Sequence, residues 1–171
     1  MAVKRILRYL QKTKDKGFYL RPNSTLSVDC YVDADFAGNF AAEPSESPES
    51  VKSRTGYIIL YRGSPLLWVS KLQSLIALST MEAEYVALSQ SMRDLIPIRE
   101  LLKEMMTQVF ATPNTIHYRT HSKAFNDVTS LGSSIPQSKV YEDNVDCLKF
   151  ANTGQLSPRT KHIGVPFHWF R

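Results

Sequence analysis

The chain has 171 residues, of which 43% are hydrophobic and 22% charged, with a net charge of +5, and these values are ordinary for one globular domain. It contains no apolar run of the roughly 18–20 residues needed to cross a bilayer, and no secretory signal follows its basic N-terminus. We therefore expect no membrane partner and no secretion. Two isolated cysteines, Cys30 and Cys147, indicate neither a disulfide scaffold nor a zinc site, and favour a reducing compartment.

The first predicted element is a short amphipathic helix over residues 3–13. Apolar residues recur at helical spacing from Val3 to Leu10, and Gly17 stops the run. Seven bases and one acid fall within the first 21 residues. Such a basic cluster can meet a phosphate backbone, or it can be the solvated face of the helix.

Three strands are predicted next. Residues 27–37 are β-branched and aromatic, with acids near the end, and 54–62 and 66–78 supply two further strand candidates. Between the first two, residues 40–53 are rich in Ala, Glu, Pro and Ser and indicate a surface loop. The short spacing of the three strands predicts an antiparallel meander.

A long helix and a second strand-helix pair complete the order. Ser79 and Glu82 have the spacing of a capping box that opens the helix, and Pro97 is expected to end or kink it, with a second segment over 98–106. Residues 107–137 have little periodicity and are interpreted as an insertion. A buried strand over 139–144 and a helix over 145–151 follow, and 158–171 shows no clear period. This order predicts an α/β or α+β layer with a mixed sheet.

Three acids lie where this order of elements would bring them together. Asp33 is on the first strand, Glu84 is in the first turns of the long helix, and Asp143 ends the later strand. Clustered carboxylates bind Mg²⁺, and two such ions about 4 Å apart can activate a water on a phosphodiester. Each acid also has a structural reading: Asp33 can form a turn, and Asp143-Asn144 can begin a turn or cap the next helix.

Five ordered segments resemble the ribonuclease H region of copia-type retrotransposon Pol polyproteins. They are YVDADFAGN (31–39), SRTGYIILYRGSPLLWVSKLQS (53–74), STMEAEYVALS (79–89), VYEDN (140–144) and SPRTKHI (157–163). Upstream, AVKRILRYLQKTKDKGF (2–18) resembles the tail of the family's reverse transcriptase. The resemblance predicts a reverse-transcriptase tail or connection helix over 1–22 and a ribonuclease H-like domain over 23–171.

The resemblance implies an α/β fold with a mixed five-stranded sheet flanked by helices, here without its last strand and helix. It implies hydrolysis of the RNA strand of RNA–DNA hybrids, with two Mg²⁺ or Mn²⁺ ions held by four carboxylates. Three of these fall on Asp33, Glu84 and Asp143. Glu84 is preferred to Glu82 because the family's acid directly precedes a large residue, one other and Ala. The fourth is expected beyond residues 157–163, where this chain offers no candidate.

Contacts with the nucleic acid are a weaker expectation. The resemblance and the basic motif favour Lys71, Gln73, Arg159, Lys161 and His162. His162 could instead pack a helix or take part in proton transfer. Trp68, on the same strand as Lys71, is expected in the core rather than against a hybrid.

The expected function is that of a metal-dependent endonuclease acting during retrotransposon reverse transcription. Its expected partners are an RNA–DNA hybrid and the remainder of the Pol polyprotein, including the reverse transcriptase. Its expected location is the cytoplasm, in virus-like particles, or the nucleus. The alternative is an inactive remnant that keeps the fold and weak nucleic-acid binding, or a fragment whose missing strand the rest of the polyprotein supplies.

Overall fold

A computed structural model describes residues 2–40, 49–111, 137–153 and 161–170. Its elements are α1 (Ala2–Thr13), β1 (Ser27–Asp35), β2 (Arg54–Tyr61), β3 (Ser64–Leu72), α2 (Thr80–Ala111), β4 (Gln137–Tyr141), α3 (Val145–Thr153) and α4 (Lys161–Phe167). The strands form one mixed sheet in the order β3-β2-β1-β4, with β4 parallel to β1 and the other pairs antiparallel. This confirms the predicted fold class. Within the described ranges the sheet has four strands.

Alternation along β1 decides where the core lies. Val28, Cys30 and Val32 are buried on one face, whereas Tyr31 and Asp33 point to the other and are exposed. Helix α2 covers the buried face, and α3 and α4 pack against α2. The buried cluster comprises Val28, Cys30, Val32, Tyr57, Ile59, Tyr85, Val86, Ala87, Leu88, Met92, Leu95, Cys147, Phe150, Ile163 and Phe167.

The hairpin between β2 and β3 turns on two residues. Arg62 and Gly63 both have positive φ, 53° and 77°, as the type I′ turn of a two-residue hairpin requires. Asn23 braces the turn, since its backbone N–H donates to the Arg62 carbonyl at 2.7 Å and its own carbonyl accepts from Arg62 Nε at 2.6 Å. The meander is confirmed. Its third strand begins and ends earlier than predicted because pairing resumes directly after the turn, at Ser64.

Helix α2 runs through Pro97, so the prediction of two separate segments is wrong. Pro97 lies on the exposed side of the helix, where water can satisfy the carbonyl that loses its backbone donor. The helix also extends to Ala111, into the region predicted as an insertion. The rest of that region up to residue 136 lies outside the described residues.

The end of the predicted surface loop over 40–53 is buried, although residues 41–48 lie outside the described part of the chain. The Ser53 carbonyl accepts the backbone N–H of Gln73 at 2.8 Å, and its hydroxyl accepts that of Ala37 at 3.3 Å. Ser50 is also buried. The Ser53–Gln73 contact joins the residue before β2 to the residue after β3. The composition of the loop alone does not reveal this contact.

Two further elements differ from their predictions in exposure or existence. The strand predicted as buried is β4, but Tyr141 is 41% exposed because β4 pairs only with β1 among the described strands. Helix α4 was not predicted at all.

Helix α1 is present as predicted, and its apolar residues, such as Leu7, are exposed. None of the helices in the described ranges is long and apolar enough to span a bilayer.

The face of the sheet opposite α2, here called the open face, carries an apolar row across all four strands. The pairing register aligns Tyr141, Tyr31, Ile58 and Trp68, and the two tyrosine rings stack with their centroids 4.4 Å apart. Trp68 is 66% exposed, so the prediction that it lies in the core is wrong. Its neighbour Leu67 takes the core-facing position, because successive strand residues alternate between faces.

Trp68→Gln is expected to reduce self-association at high protein concentration with little change in stability. A contiguous exposed apolar surface promotes association, and an exposed substitution typically changes stability by about 0.5 kcal/mol or less. Light scattering and thermal unfolding check both parts. Ile59→Ala, at a fully buried position of the neighbouring strand, is the control and should cost roughly 2–5 kcal/mol. An equal loss of stability in the two variants would contradict the exposed placement of Trp68.

Candidate metal centre

Asp33 lies near the carboxyl end of β1, at the edge of the sheet where the parallel strand β4 also ends. Its side chain is exposed. Asp35, two residues later, turns instead toward the following loop. There its Oδ2 is so close to Gly38 that a Cβ on that glycine would fall 2.0 Å from it. Of the two acids in the Asp-Ala-Asp motif, Asp33 is therefore the one at the sheet edge.

The start of α2 separates the roles of its two glutamates. Ser79 Oγ accepts the backbone N–H of Glu82 at 3.2 Å, and Glu82 Oε2 accepts the backbone N–H of Leu78 at 2.8 Å. The predicted cap is thus present, although the Glu82 carboxylate accepts from Leu78 rather than from Ser79. Glu84, two residues later on a helix with 3.6 residues per turn, points to a different side, toward the end of β1.

The Glu84 carboxyl group is buried, and one of its two oxygens has no hydrogen-bond donor among the described residues. Glu84 is only 7% exposed, and within the described residues no group donates a hydrogen bond to its Oε2. Burial raises the pKa of Glu84 to about 8, and the neighbouring charges of Glu142, Asp33 and Asp143 add to this, against one backbone hydrogen bond from Ala34. Without a bound cation, Glu84 is thus largely protonated near neutral pH. A cation bound beside it would favour the ionised carboxylate.

Asp143 is placed by the turn that joins β4 to α3. Asn144 caps the helix, because its Oδ1 accepts the backbone N–H groups of Asp146 at 3.1 Å and Cys147 at 2.9 Å. Within the pair Asp143-Asn144, the side chain of Asn144 is therefore the one that caps the helix. The Asp143 carboxylate is exposed beside the sheet edge.

The three predicted acids converge. One carboxylate oxygen from each of Asp33, Glu84 and Asp143 lies within 4.8 Å of the others. Hard divalent cations take oxygen ligands at about 2.0–2.6 Å, so oxygens with this separation can share one ion. The buried, unpartnered Glu84 Oε2 is a position that a cation would satisfy. The carboxylate chemistry and this buried oxygen both fit Mg²⁺ or Mn²⁺.

An open cleft of about 350 Å³ borders two of these acids, Asp33 and Asp143. Asp33, Asp143 and Glu142 contribute its polar wall, and Tyr31 and Tyr141 contribute part of its apolar wall. The stacked tyrosines therefore border the carboxylates on the side of the open face. The cleft is open to solvent beside the two exposed aspartates.

The residues predicted to contact nucleic acid differ in exposure and in their contacts. Lys71 on β3 and Lys161 at the start of α4 are exposed. His162 is about half-exposed, and its Nε2 lies 3.5 Å from Glu82 Oε2, which ties α4 to the start of α2. Arg159 lies outside the described residues.

Gln73 corrects the prediction of a nucleic-acid contact. It is 1% exposed, and its Nε2 donates to Thr55 Oγ1 at 3.1 Å and to the Ala83 carbonyl at 2.9 Å. Because Ala83 directly precedes Glu84, Gln73 fastens the end of β3 to the helical turn that presents the buried acid. Its amide faces the interior and cannot reach a bound duplex in this arrangement.

Glu142 is a site residue that the sequence reasoning missed. It precedes Asp143 and lines the cleft. Of the three neighbouring acids that raise the pKa of Glu84, Glu142 has the largest effect. The only sequence signal was the presence of two adjacent acids, and strand alternation argues against both serving one site.

The fold and the cleft together define an α/β protein whose mixed sheet is compatible with a ribonuclease H-like fold and carries a carboxylate cluster at one edge. Over 170 residues, 99% of its length, the chain is 31% identical to the retrovirus-related Pol polyprotein from transposon TNT 1-94 of Nicotiana tabacum. It is 30% identical, over the same share, to that from transposon RE2 of Arabidopsis thaliana. It spans 10% and 9% of these relatives' lengths, respectively.

A third relative is shorter. Over 95 residues, 56% of its length, our chain is 38% identical to secreted RxLR effector protein 161 of Plasmopara viticola. The match covers 61% of that relative. No family model matches the chain, and no solved structure matches it significantly. The relatives that match along the whole chain are retrotransposon Pol polyproteins, which supports a retroelement origin and confirms the coarser part of the resemblance found in the sequence.

Proposed function

We propose that this chain acts as the ribonuclease H-type nuclease of a retrotransposon Pol polyprotein. It hydrolyses the RNA strand of RNA–DNA hybrids with Mg²⁺ or Mn²⁺. The observation that supports this most is the convergence of Asp33, Glu84 and Asp143 at the sheet edge. The similarity to Pol polyproteins along nearly the whole chain supplies a context in which such hybrids arise.

The three acids have different tasks in this proposal. Asp33, Glu84 and Asp143 would hold divalent cations, and the chemistry that a pair of these ions would supply is activation of a water and stabilisation of the leaving oxygen of the phosphodiester. Glu84 provides a buried carboxylate from the first turns of α2. The exposed Asp33 and Asp143 face the incoming phosphate. The exposed Lys71 and Lys161 contact backbone phosphates, and recognition follows duplex shape and the 2′-hydroxyl rather than base sequence.

The partners follow from the same context. The chain spans about a tenth of its Pol relatives, so the remaining polyprotein, including a reverse transcriptase, is the proposed partner. The second candidate function is an inactive remnant with the fold and weak nucleic-acid affinity. One observation favours it: the tight cluster in the described residues has three carboxylates where the family resemblance implies four.

Cleavage of a labelled RNA–DNA hybrid, with Mg²⁺ or Mn²⁺ present, tests the proposal. Asp33→Asn is expected to slow cleavage roughly 100-fold or more, since even outer partners of metal ligands are worth about 10–100-fold. Asp35→Asn, in the same motif but packed against Gly38, is the matched control and should cleave like the wild type. Absence of cleavage by folded wild-type protein would favour the inactive remnant, and equal losses in both variants would refute the role of Asp33.

A further inference from the structure

Glu142 is held in a fixed direction beside the three converging acids. Its Oε1 accepts the backbone N–H of Asn144 at 3.1 Å, which orients the carboxyl group. Its Oε2 is buried, and none of the described residues donates a hydrogen bond to it. The same cleft contains Glu142, Asp33 and Asp143. The second oxygen is therefore buried beside this cleft without a hydrogen-bond donor among the described residues.

This arrangement is costly without a ligand. A buried carboxylate oxygen without a donor loses its hydration, and three further acids nearby repel its charge. A second orphan lies in the same cluster, since Glu84 is more than nine-tenths buried and its Oε2 also lacks a donor among the described residues. Two unpartnered oxygens with one cluster of acids point to a bound cation.

We propose that Glu142 is the fourth carboxylate of the metal centre and, with Asp143, holds the second cation of the pair. This inference rests on the proposed nuclease function and adds a ligand that the sequence pattern lacks. Glu142 lies outside the group of three whose oxygens fall within 4.8 Å, as expected for an acid that serves a neighbouring ion. The charges also balance, because four ionised carboxylates neutralise two divalent cations.

Titration of the full chain with Mn²⁺, followed by electron paramagnetic resonance of the free ion, measures this directly. The wild type is expected to bind two Mn²⁺ per chain. Glu142→Gln should bind the second ion about 10–100-fold more weakly, or not at all, while keeping the first. Asp146→Asn is the matched control, because Asp146 begins the next helix, is exposed and pairs with Lys149, and this variant should bind two ions.

A second variant guards against a folding defect. Glu142→Asp keeps the charge but withdraws the oxygen by one methylene, so its second-site affinity should lie between those of the wild type and Glu142→Gln. Unchanged binding of two ions by both Glu142 variants would overturn the proposal, as would a wild type that binds none. The nuclease function is judged separately by cleavage. A chain that loses one ion on Glu142→Gln but cleaves no hybrid would support the ligand and refute the activity.

Discussion

Glu84→Gln is expected to raise the free energy of unfolding at pH 9 by roughly 3–5 kcal/mol while abolishing cleavage of the hybrid. In the folded chain the pKa of Glu84 is about 8, against an ordinary value of 4.5, chiefly because the carboxyl group is buried and secondarily because Glu142, Asp33 and Asp143 lie nearby. Above pH 8 the folded wild type must carry this buried charge. Glutamine avoids it and can still accept the hydrogen bond from Ala34.

The sign of the effect defines its pH window. A carboxyl group with a raised folded pKa binds its proton more tightly in the folded state, so its favourable contribution is complete below about pH 4.5. The contribution is lost as the pH rises through about 8. The wild type and Glu84→Gln should therefore unfold at similar temperatures near pH 4.5 and diverge as the pH rises.

Thermal unfolding at pH 4.5 and pH 9, with a chelator present, measures the divergence. A midpoint difference of roughly 10 °C is expected at pH 9 for a domain of this size. Glu100→Gln is the control, since Glu100 is an exposed residue of the same helix and pairs with the exposed Lys103 across one turn. Equal midpoints for the wild type and Glu84→Gln at pH 9 would show that the carboxyl group is hydrated rather than buried.

Addition of Mn²⁺ should reverse the order of stability. A ligand that binds only the folded state stabilises it in proportion to the logarithm of its concentration relative to Kd. The wild type should therefore gain stability with Mn²⁺, whereas Glu84→Gln should gain little. Like charges held together in the absence of metal are a common cost of a functional site, and their removal often stabilises a protein while inactivating it.

The positions of the acids could be predicted because each follows a local rule. Asp33 lies near the end of a strand, and Glu84 follows a capping box that identifies Glu82 as the structural glutamate. Asp143 precedes Asn144, whose side chain caps the next helix. Local signals of this kind fix where an element begins or ends, and the parallel pairing of β1 and β4 then brings the ends together.

Facing and burial could not be predicted in the same way. Residues 65–69 form an almost continuous apolar run, so periodicity does not reveal that Leu67 faces the core while Trp68 faces outward. Tyr141 resembles a buried strand residue but lies on the edge of the described sheet. Gln73 is polar and buried because its amide nitrogen donates to two tertiary partners, and neither is near it in sequence.

Gln73→Leu should accordingly reduce the free energy of unfolding by roughly 2–3 kcal/mol. The change leaves Thr55 Oγ1 and the Ala83 carbonyl without their donor, and an unsatisfied buried polar group costs about 1–3 kcal/mol. Gln73 Oε1 already has no partner among the described residues, so its removal offsets part of the loss. Because the lost bond to Ala83 loosens the turn that carries Glu84, cleavage should fall as well.

Lys71→Ala separates this structural role from a contact with the substrate. Lys71 lies two residues before Gln73 and is exposed, so the variant should unfold like the wild type. If Lys71 meets a backbone phosphate, the variant should bind the hybrid more weakly, and the slope of log affinity against log salt should shrink by about one. Chemical unfolding and hybrid binding at several salt concentrations measure both variants. If Gln73→Leu kept its stability but lost affinity for the hybrid, Gln73 would belong to the substrate interface after all. Such a result would mean that the amide is free of its internal partners.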